Sequence, residues 1–159
     1  MSDLENEFKI RVATNRDAPE VRELVFSVLM EYGLDPDRRS TDADLEDLEG
    51  NYLRRGGSFE VVEQADGEII GTVGLFPLTR KRVELRKMYL KASVRGKGLG
   101  KLLLQRSLEK ARALQFEEVW LETNAVLQEA IQLYRRNGFQ PVKSDHLAKR
   151  CDQAYLLRL

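Results

Sequence analysis

The residues best suited to chemistry lie in the run Val94-Arg95-Gly96-Lys97-Gly98-Leu99-Gly100-Lys101, where glycines alternate with other residues. Upstream, Val83 to Leu90 has the β-branched, aromatic and alternating character of a strand; downstream, Leu102, Leu103, Leu104, Leu108 and Ala111 recur at helical spacing. The glycines therefore fall where a helix begins. Such an end presents backbone N–H groups that no helical carbonyl receives, together with about half a unit of positive charge, and residues without Cβ let an anion approach that backbone closely. Arg95 and Lys97 add charge, so the spacing predicts a phosphate cradle.

Two look-alike patterns fail. A Walker A loop needs Gly, four residues, then Gly-Lys-Ser/Thr, whereas Gly100-Lys101 is followed by Leu102 and Arg95 stands where the first glycine should be. A dinucleotide fingerprint needs G-x-G-x-x-G early in a doubly wound domain, but this loop reads G-x-G-x-G and about ninety residues precede it without a matching βαβ pattern. The pattern that fits is R-x-x-G-x-G, carried by Arg95, Gly98 and Gly100.

On these residues the chain resembles the GCN5-related N-acetyltransferase (GNAT) family. The resemblance continues through a long helix, a strand over Glu118 to Thr123, Asn124, a helix containing Ala130-Ile131-Gln132-Leu133-Tyr134, and Asn137-Gly138-Phe139, so that it spans roughly Val83 to Pro141. The N-terminal part is compatible and less distinctive. The resemblance implies one N-acetyltransferase domain over residues 1–159, an α/β GNAT-like fold with a mixed, mostly antiparallel β-sheet flanked by about four helices. It further implies direct transfer of an acetyl group from acetyl-CoA, a co-substrate, to a primary amine of a small molecule or protein, without a metal.

An acyl transfer to an amine needs a held donor, a polarised carbonyl, a deprotonated amine and a proton for the leaving thiolate. In the family the pantetheine arm pairs with the backbone of the strand before the loop, which implicates Met88, Tyr89 and Leu90; the side chains of Met88 and Leu90 are at the same time expected core residues. The diphosphate would rest on the loop amides from Arg95 through Gly96, Lys97, Gly98, Leu99 and Gly100 to Lys101. Glu84 stands four residues before Met88, the spacing at which histone-type members place a general base. An ammonium with a pKa near about 10.4 is almost wholly protonated at neutral pH, so such a base answers a real need; the alternative is that Glu84, beside Arg86 and Lys87, belongs to a solvated charged strand. Tyr134 occupies the family's general-acid position, or is a core tyrosine beside Ile131 and Leu133. Asn124 either bonds the cofactor directly or through water, or caps the next helix. A competing reading keeps the fold as a non-catalytic acyl-CoA-binding or protein-interaction module.

Other candidates take plainer roles. His146, the single histidine, is expected at the surface or as a cap, and Cys151 shows no neighbours that would activate a thiolate. Trp120 and the Leu102 to Leu108 cluster read as packing. Around the first two helices, Glu31, Asp35, Asp37, Asp42, Asp44, Glu46, Asp47 and Glu49 outnumber Arg38 and Arg39; this excess either attracts a cationic acceptor or forms solvated faces and caps.

Composition narrows the class. The 26 Lys and Arg balance 26 Asp and Glu, which gives none of the net field typical of nucleic-acid binding. One cysteine excludes an internal disulfide and a cysteine-based zinc site, and the start Met1 to Glu7 lacks the basic and apolar regions of a signal peptide. No apolar run approaches the roughly 20 residues needed to span a bilayer. The expectation is a cytoplasmic protein with no nucleic-acid or membrane partner, a homodimer being left open.

The elements that must position these groups follow from periodicity. Phe8 to Val12 alternates as a first strand; Asp17 and Pro19 start a helix whose stripe is Val21, Leu24, Val25, Val28 and Leu29, ended by Gly33 and Pro36. Asp44 to Leu53 reads as a second helix closed by Gly56-Gly57. Phe59 to Glu63 and Ile69 to Phe76 form a hairpin about Asp66-Gly67, Pro77 and a basic turn lead to the Val83 strand, and Gln153 to Leu159 closes the sheet. The order βαα, βββ, αβα, ββ indicates an α/β domain with a mixed sheet.

Overall fold

Phe8–Val12 (β1), Ser58–Gln64 (β2), Ile69–Pro77 (β3) and Arg82–Leu90 (β4) form an antiparallel meander whose central strands, β2 and β3, are buried on both faces over most of their length. Glu118–Thr123 (β5), Gln140–Val142 (β6) and Gln153–Arg158 (β7) extend it into one sheet of order β1-β2-β3-β4-β5-β7-β6. The computed structural model describes residues 7–159; the expectation drawn from Met1 to Glu7 falls almost wholly on residues 1–6, which lie outside the described residues. Among the described residues only the β4–β5 pair is parallel. A parallel step needs a crossover, and the helix Leu99–Ala113 supplies it.

Ala18–Glu31 (α1) packs on one face of the sheet through Val21, Leu24, Val25, Val28 and Leu29, in a core with Phe59, Val61 and Tyr52. On the other face, Leu99–Ala113 (α2) buries Leu99, Leu103, Leu104, Leu108 and Ala111, and Gln128–Arg136 (α3) buries Ile131 and Tyr134, against Val83, Leu85, Val119 and Leu121. Among the described residues no helix is long and apolar enough to cross a membrane.

The helix expected over Asp44 to Leu53 is instead a 3₁₀ turn at Ala43–Glu46 and a π-helical turn at Glu49–Leu53, broken at Asp47, where φ is −143° and ψ 86°. The cause is local competition: the Asp47 carboxylate accepts the Gly50 N–H at 2.8 Å and the Asn15 side-chain amide at 2.9 Å, bonds that a helix interior would forbid. The apolar face survives, since Leu45, Leu48 and Tyr52 are all fully buried. Trp120, expected in the core, is half-buried on the α1 face. Strand β5 buries Val119, Leu121 and Thr123 on the opposite face, and the indole lies under the Arg82 guanidinium at 5.3 Å.

Candidate active site

Strands β4 and β5 pair only at Arg82–Glu118, Val83–Val119 and Glu84–Trp120. Beyond Glu84 they separate, so the β5-facing edge of the rest of β4 lies open. A bulge contributes to this. Between the pairs Thr72–Tyr89 and Gly74–Arg86, the single residue Val73 of β3 faces both Lys87 and Met88 of β4. Lys87 takes the left-handed conformation at φ 55°, held by the Thr72 hydroxyl, which donates to its carbonyl at 2.7 Å. The extra residue reverses the alternation: Met88 and Leu90 join Val83 and Leu85 on the α2 and α3 face, while Tyr89 packs with the α1 core. The gap between the strands is the middle of a cavity of about 820 Å³, bordered by Glu84 to Leu90 of β4, Leu121 to Asn124, the glycine loop and α3. That volume suits a drug-sized or larger ligand.

At one end stands the start of α2. Its first helical bond runs from the Leu102 N–H to the Gly98 carbonyl at 3.1 Å, which leaves the amides of Leu99, Gly100 and Lys101 without a helical acceptor. Gly96 at φ 78° and Gly98 at φ 85° adopt the left-handed turn that delivers the chain into the helix. Gly100 is a different case, since a Cβ there would come no closer than 3.6 Å to Leu133 and 3.7 Å to Leu90. Its missing side chain leaves space beside the cavity that the protein does not fill. Lys101 borders the same space, so the geometry fits an anionic group such as a diphosphate.

The other loop residues behave differently. Lys97 is exposed and Leu99 buried, and neither lines the cavity. The Arg95 guanidinium donates to the Leu90 carbonyl at 2.8 and 3.0 Å and pairs with Glu31 at 2.5 Å. It thus ties the end of β4 to the end of α1.

At the inner end, Glu84 and Tyr134 approach the gap from opposite faces of the sheet. Glu84 is 8% exposed, and Arg86 donates from Nε to its Oε1 at 2.5 Å. The solvated-strand alternative therefore does not hold for Glu84 or for Lys87, which is 9% exposed. Burial raises the Glu84 carboxyl above its ordinary value; Arg86 opposes the rise and the nearby Glu122 carboxylate adds to it. Tyr134 is buried against Phe139, with ring centroids 5.7 Å apart, yet borders the cavity. Its hydroxyl is not a sealed, unpartnered polar atom, and burial together with Tyr89 pushes its ionisation well above the usual range. It is a donor, not a phenolate.

The acidic stretch around the first two helices is mostly engaged within the protein. Glu31 pairs with Arg95, Glu46 with Arg22 and Arg38, Asp47 receives the Gly50 N–H and Glu49 the backbone N–H of Asn15. Asp42, fully buried, receives Arg150 and the Lys87 ammonium at 3.0 Å; Asp44 lies 3.4 Å from the same ammonium. Neither attraction of a cationic acceptor nor a solvated face describes Asp42 and Asp44, which hold the loop before β2 against β4 and the segment before β7; the capping expectation holds for Asp37 and Asp47, which accept the N–H groups of Ser40 and Gly50.

Asn124 borders the cavity, but both ends of its amide are taken, by the Arg150 carbonyl at 2.8 Å and the Val126 N–H at 3.0 Å. It does not cap α3, which starts four residues later at Gln128. His146 is exposed, away from the cavity. Cys151 lines it, and burial together with Glu122 pushes its thiol up to about 11, away from reactivity. The sequence reading passed over Glu122, which also lines the cavity. Alternation along Glu118-Val119-Trp120-Leu121-Glu122 was the available signal, since it places Glu122 beside Trp120 and hence on the face of Glu84.

A profile for the Acetyltransferase (GNAT) family matches residues 22–139. The chain belongs to the GNAT family. The match runs from Arg22 in α1 to Phe139 after α3, and so takes in the open strand gap, the glycine loop and Tyr134. A relative described as the uncharacterized N-acetyltransferase YjgM of Escherichia coli (strain K12) is 40% identical over 138 residues, covering 84% of this chain and 82% of the relative. The structure of a GNAT-family acetyltransferase from Staphylococcus aureus Mu50 superposes with a TM-score of 0.88 at 26% identity, over 95% of this chain and 98% of that one. A GNAT-superfamily phosphinothricin acetyltransferase from Sinorhizobium meliloti, solved in complex with AcCoA, shares the fold at a TM-score of 0.74 and 20% identity, over 96% and 89% of the two chains.

Proposed function

We propose that this GNAT chain transfers the acetyl group of acetyl-CoA directly to a primary amine. One observation carries the reading: a single cavity joins unpaired helix-start amides at one end to a buried carboxylate and a buried phenol at the other, across a strand edge left open for pairing. The diphosphate rests on the amides of Leu99, Gly100 and Lys101, and the pantetheine amides pair with the open edge of β4 around Met88 to Leu90. Donor and acceptor then meet in the gap between β4 and β5, with Tyr134 on one face and Glu84 on the other.

The steps follow from the groups. Glu84, made more basic by burial, takes a proton from the acceptor ammonium through water. The freed amine attacks the thioester carbonyl carbon, a C–N bond forms, and the C–S bond breaks as the tetrahedral intermediate collapses. The departing thiolate takes its proton from the Tyr134 hydroxyl, whose raised ionisation keeps it protonated until that moment, and the second proton, lost from the nitrogen as it becomes an amide, returns through water to restore the phenol. The test is CoA release from acetyl-CoA across a panel of amines, with product mass confirming N-acetylation. Tight acetyl-CoA binding without transfer to any amine would replace this reading with a binding module.

A further inference from the structure

The charges of Glu84, Arg86, Lys87 and Arg150 around the inner end of the cavity are cancelled in sets, whereas those of Glu122 and the exposed Lys149 are not. Arg86 pairs with Glu84, and Lys87 and Arg150 share Asp42, Lys87 also reaching Asp44. Glu122 has no such partner: among the described residues no Lys, Arg or His nitrogen lies within 4.0 Å of its carboxylate. Its Oε2 accepts the Trp120 indole N–H at 3.0 Å and its Oε1 accepts the Ala148 amide N–H at 2.7 Å. These two donors fix the orientation of the carboxylate without neutralising it. An anion held half out of water beside a second carboxylate is a site that a cation improves.

We propose that Glu122 selects the acceptor, holding the ammonium of a cationic alkylamine beside Glu84, and that amines whose alkyl chain ends in a carboxylate are disfavoured. This rests on the N-acetyltransferase reading above. A carboxylate on the acceptor would meet Arg86, Lys87 and Arg150, each already bound to a protein carboxylate. Lys149 also borders the cavity but is solvent-exposed, where an ion pair contributes little. Glu122 does not form or break a bond in this scheme. It sets which amine reaches Glu84, and in what position.

The experiment compares 1,5-diaminopentane with 5-aminopentanoate as acceptors at saturating acetyl-CoA, within a wider amine panel, for the native protein, Glu122→Gln and Glu122→Asp. The native protein should favour the diamine in kcat/KM. Glu122→Gln should raise KM for the diamine by about tenfold to hundredfold, the range expected for losing a hydrogen-bonded charge partner. Acetyl-CoA affinity by calorimetry should hold, and Glu122→Asp should recover part of the loss. A role confined to anchoring Trp120 and Ala148 would instead lower kcat and donor affinity for both amines alike, and that result overturns the proposal. So does an unchanged diamine KM in Glu122→Gln, or native turnover restricted to carboxylate-bearing amines. Failure of the native protein to acetylate any amine overturns the N-acetyltransferase reading, and this inference falls with it.

Discussion

Asp42 and Arg150, 108 positions apart, meet in a two-point ion pair: the guanidinium donates to both carboxylate oxygens, at 2.8 and 2.5 Å. The carboxylate is fully buried and also receives the Lys87 ammonium and the Asp37 backbone N–H. Three separate parts of the chain thus close on one side of the cavity: the loop before β2, the bulge of β4 and the segment before β7.

Removing the Asp42 charge should therefore unfold the protein more easily. Asp42→Asn leaves two cations without their shared partner, and breaking such a buried pair costs about 3–5 kcal/mol. Burial alone would raise the Asp42 carboxyl, but Arg150 and Lys87 outweigh it and hold it at about 2, below its ordinary 3.8. A depressed folded value means that the contribution is complete above the ordinary value and lost as pH falls through the folded one. Urea titrations at neutral pH and near pH 2.5 should show a large native-to-variant difference that shrinks on acidification. A difference that stays constant would show that the charge of Asp42 is not the cause.

Gly100→Ala should move stability and donor binding in opposite directions. Its Cβ meets no protein atom closer than 3.6 Å, and alanine in a helix gains about 0.5–1 kcal/mol over glycine. The same methyl group stands where an anion would approach the amides, so acetyl-CoA affinity should fall by about tenfold, close to 1.4 kcal/mol. Differential scanning calorimetry and binding calorimetry on one preparation decide this. Unchanged affinity would remove the glycine loop from the donor site. Gly98 is a poorer probe, because its φ of 85° makes any substitution there strained.

Tyr134→Phe keeps the ring that packs on Phe139 and deletes only the hydroxyl. Acetyl-CoA binding and thermal stability should be preserved while kcat falls by up to about a hundredfold, the scale of a general acid. A thiolate is a tolerable leaving group, so a smaller loss also counts in favour. Full turnover in the phenylalanine variant assigns Tyr134 to packing alone.

Glu84 must be ionised to accept a proton, and burial raises its carboxyl. Its group should then set the acid limb of the rate profile, with activity rising as pH passes through that raised value and the limb lying above the range of a free carboxylate. Glu84→Gln should abolish the limb and slow turnover by about a hundredfold or more if the carboxylate is the base. If rate and profile match the native protein, solvent is the proton acceptor.

Local spacing was enough to place much of this protein. Strand β5 falls over Glu118 to Thr123 as its alternation predicts, the hairpin turns at Asp66-Gly67, and the glycine run opens α2 at Leu99. These features depend on neighbours within a few residues, where periodicity, glycine freedom and the repeat of apolar side chains act directly. The order of elements after Val83 carried the family resemblance for the same reason. Other features depend on partners remote in sequence. Lys87 looks like one more surface charge until Thr72 on β3 holds its carbonyl in a bulge and Asp42 receives its ammonium. The bulge then decides which faces Met88, Tyr89 and Leu90 present. The acidic stretch reads either as a lure for cations or as solvated faces and caps until Arg22, Arg95 and Arg150 arrive from elsewhere to pair with Glu46, Glu31 and Asp42. Glu122 stands out only once the charges of Glu84, Arg86, Lys87 and Arg150 are seen to have partners. Charge compensation is a property of distances in space, and burial sets its strength; only the folded chain determines either.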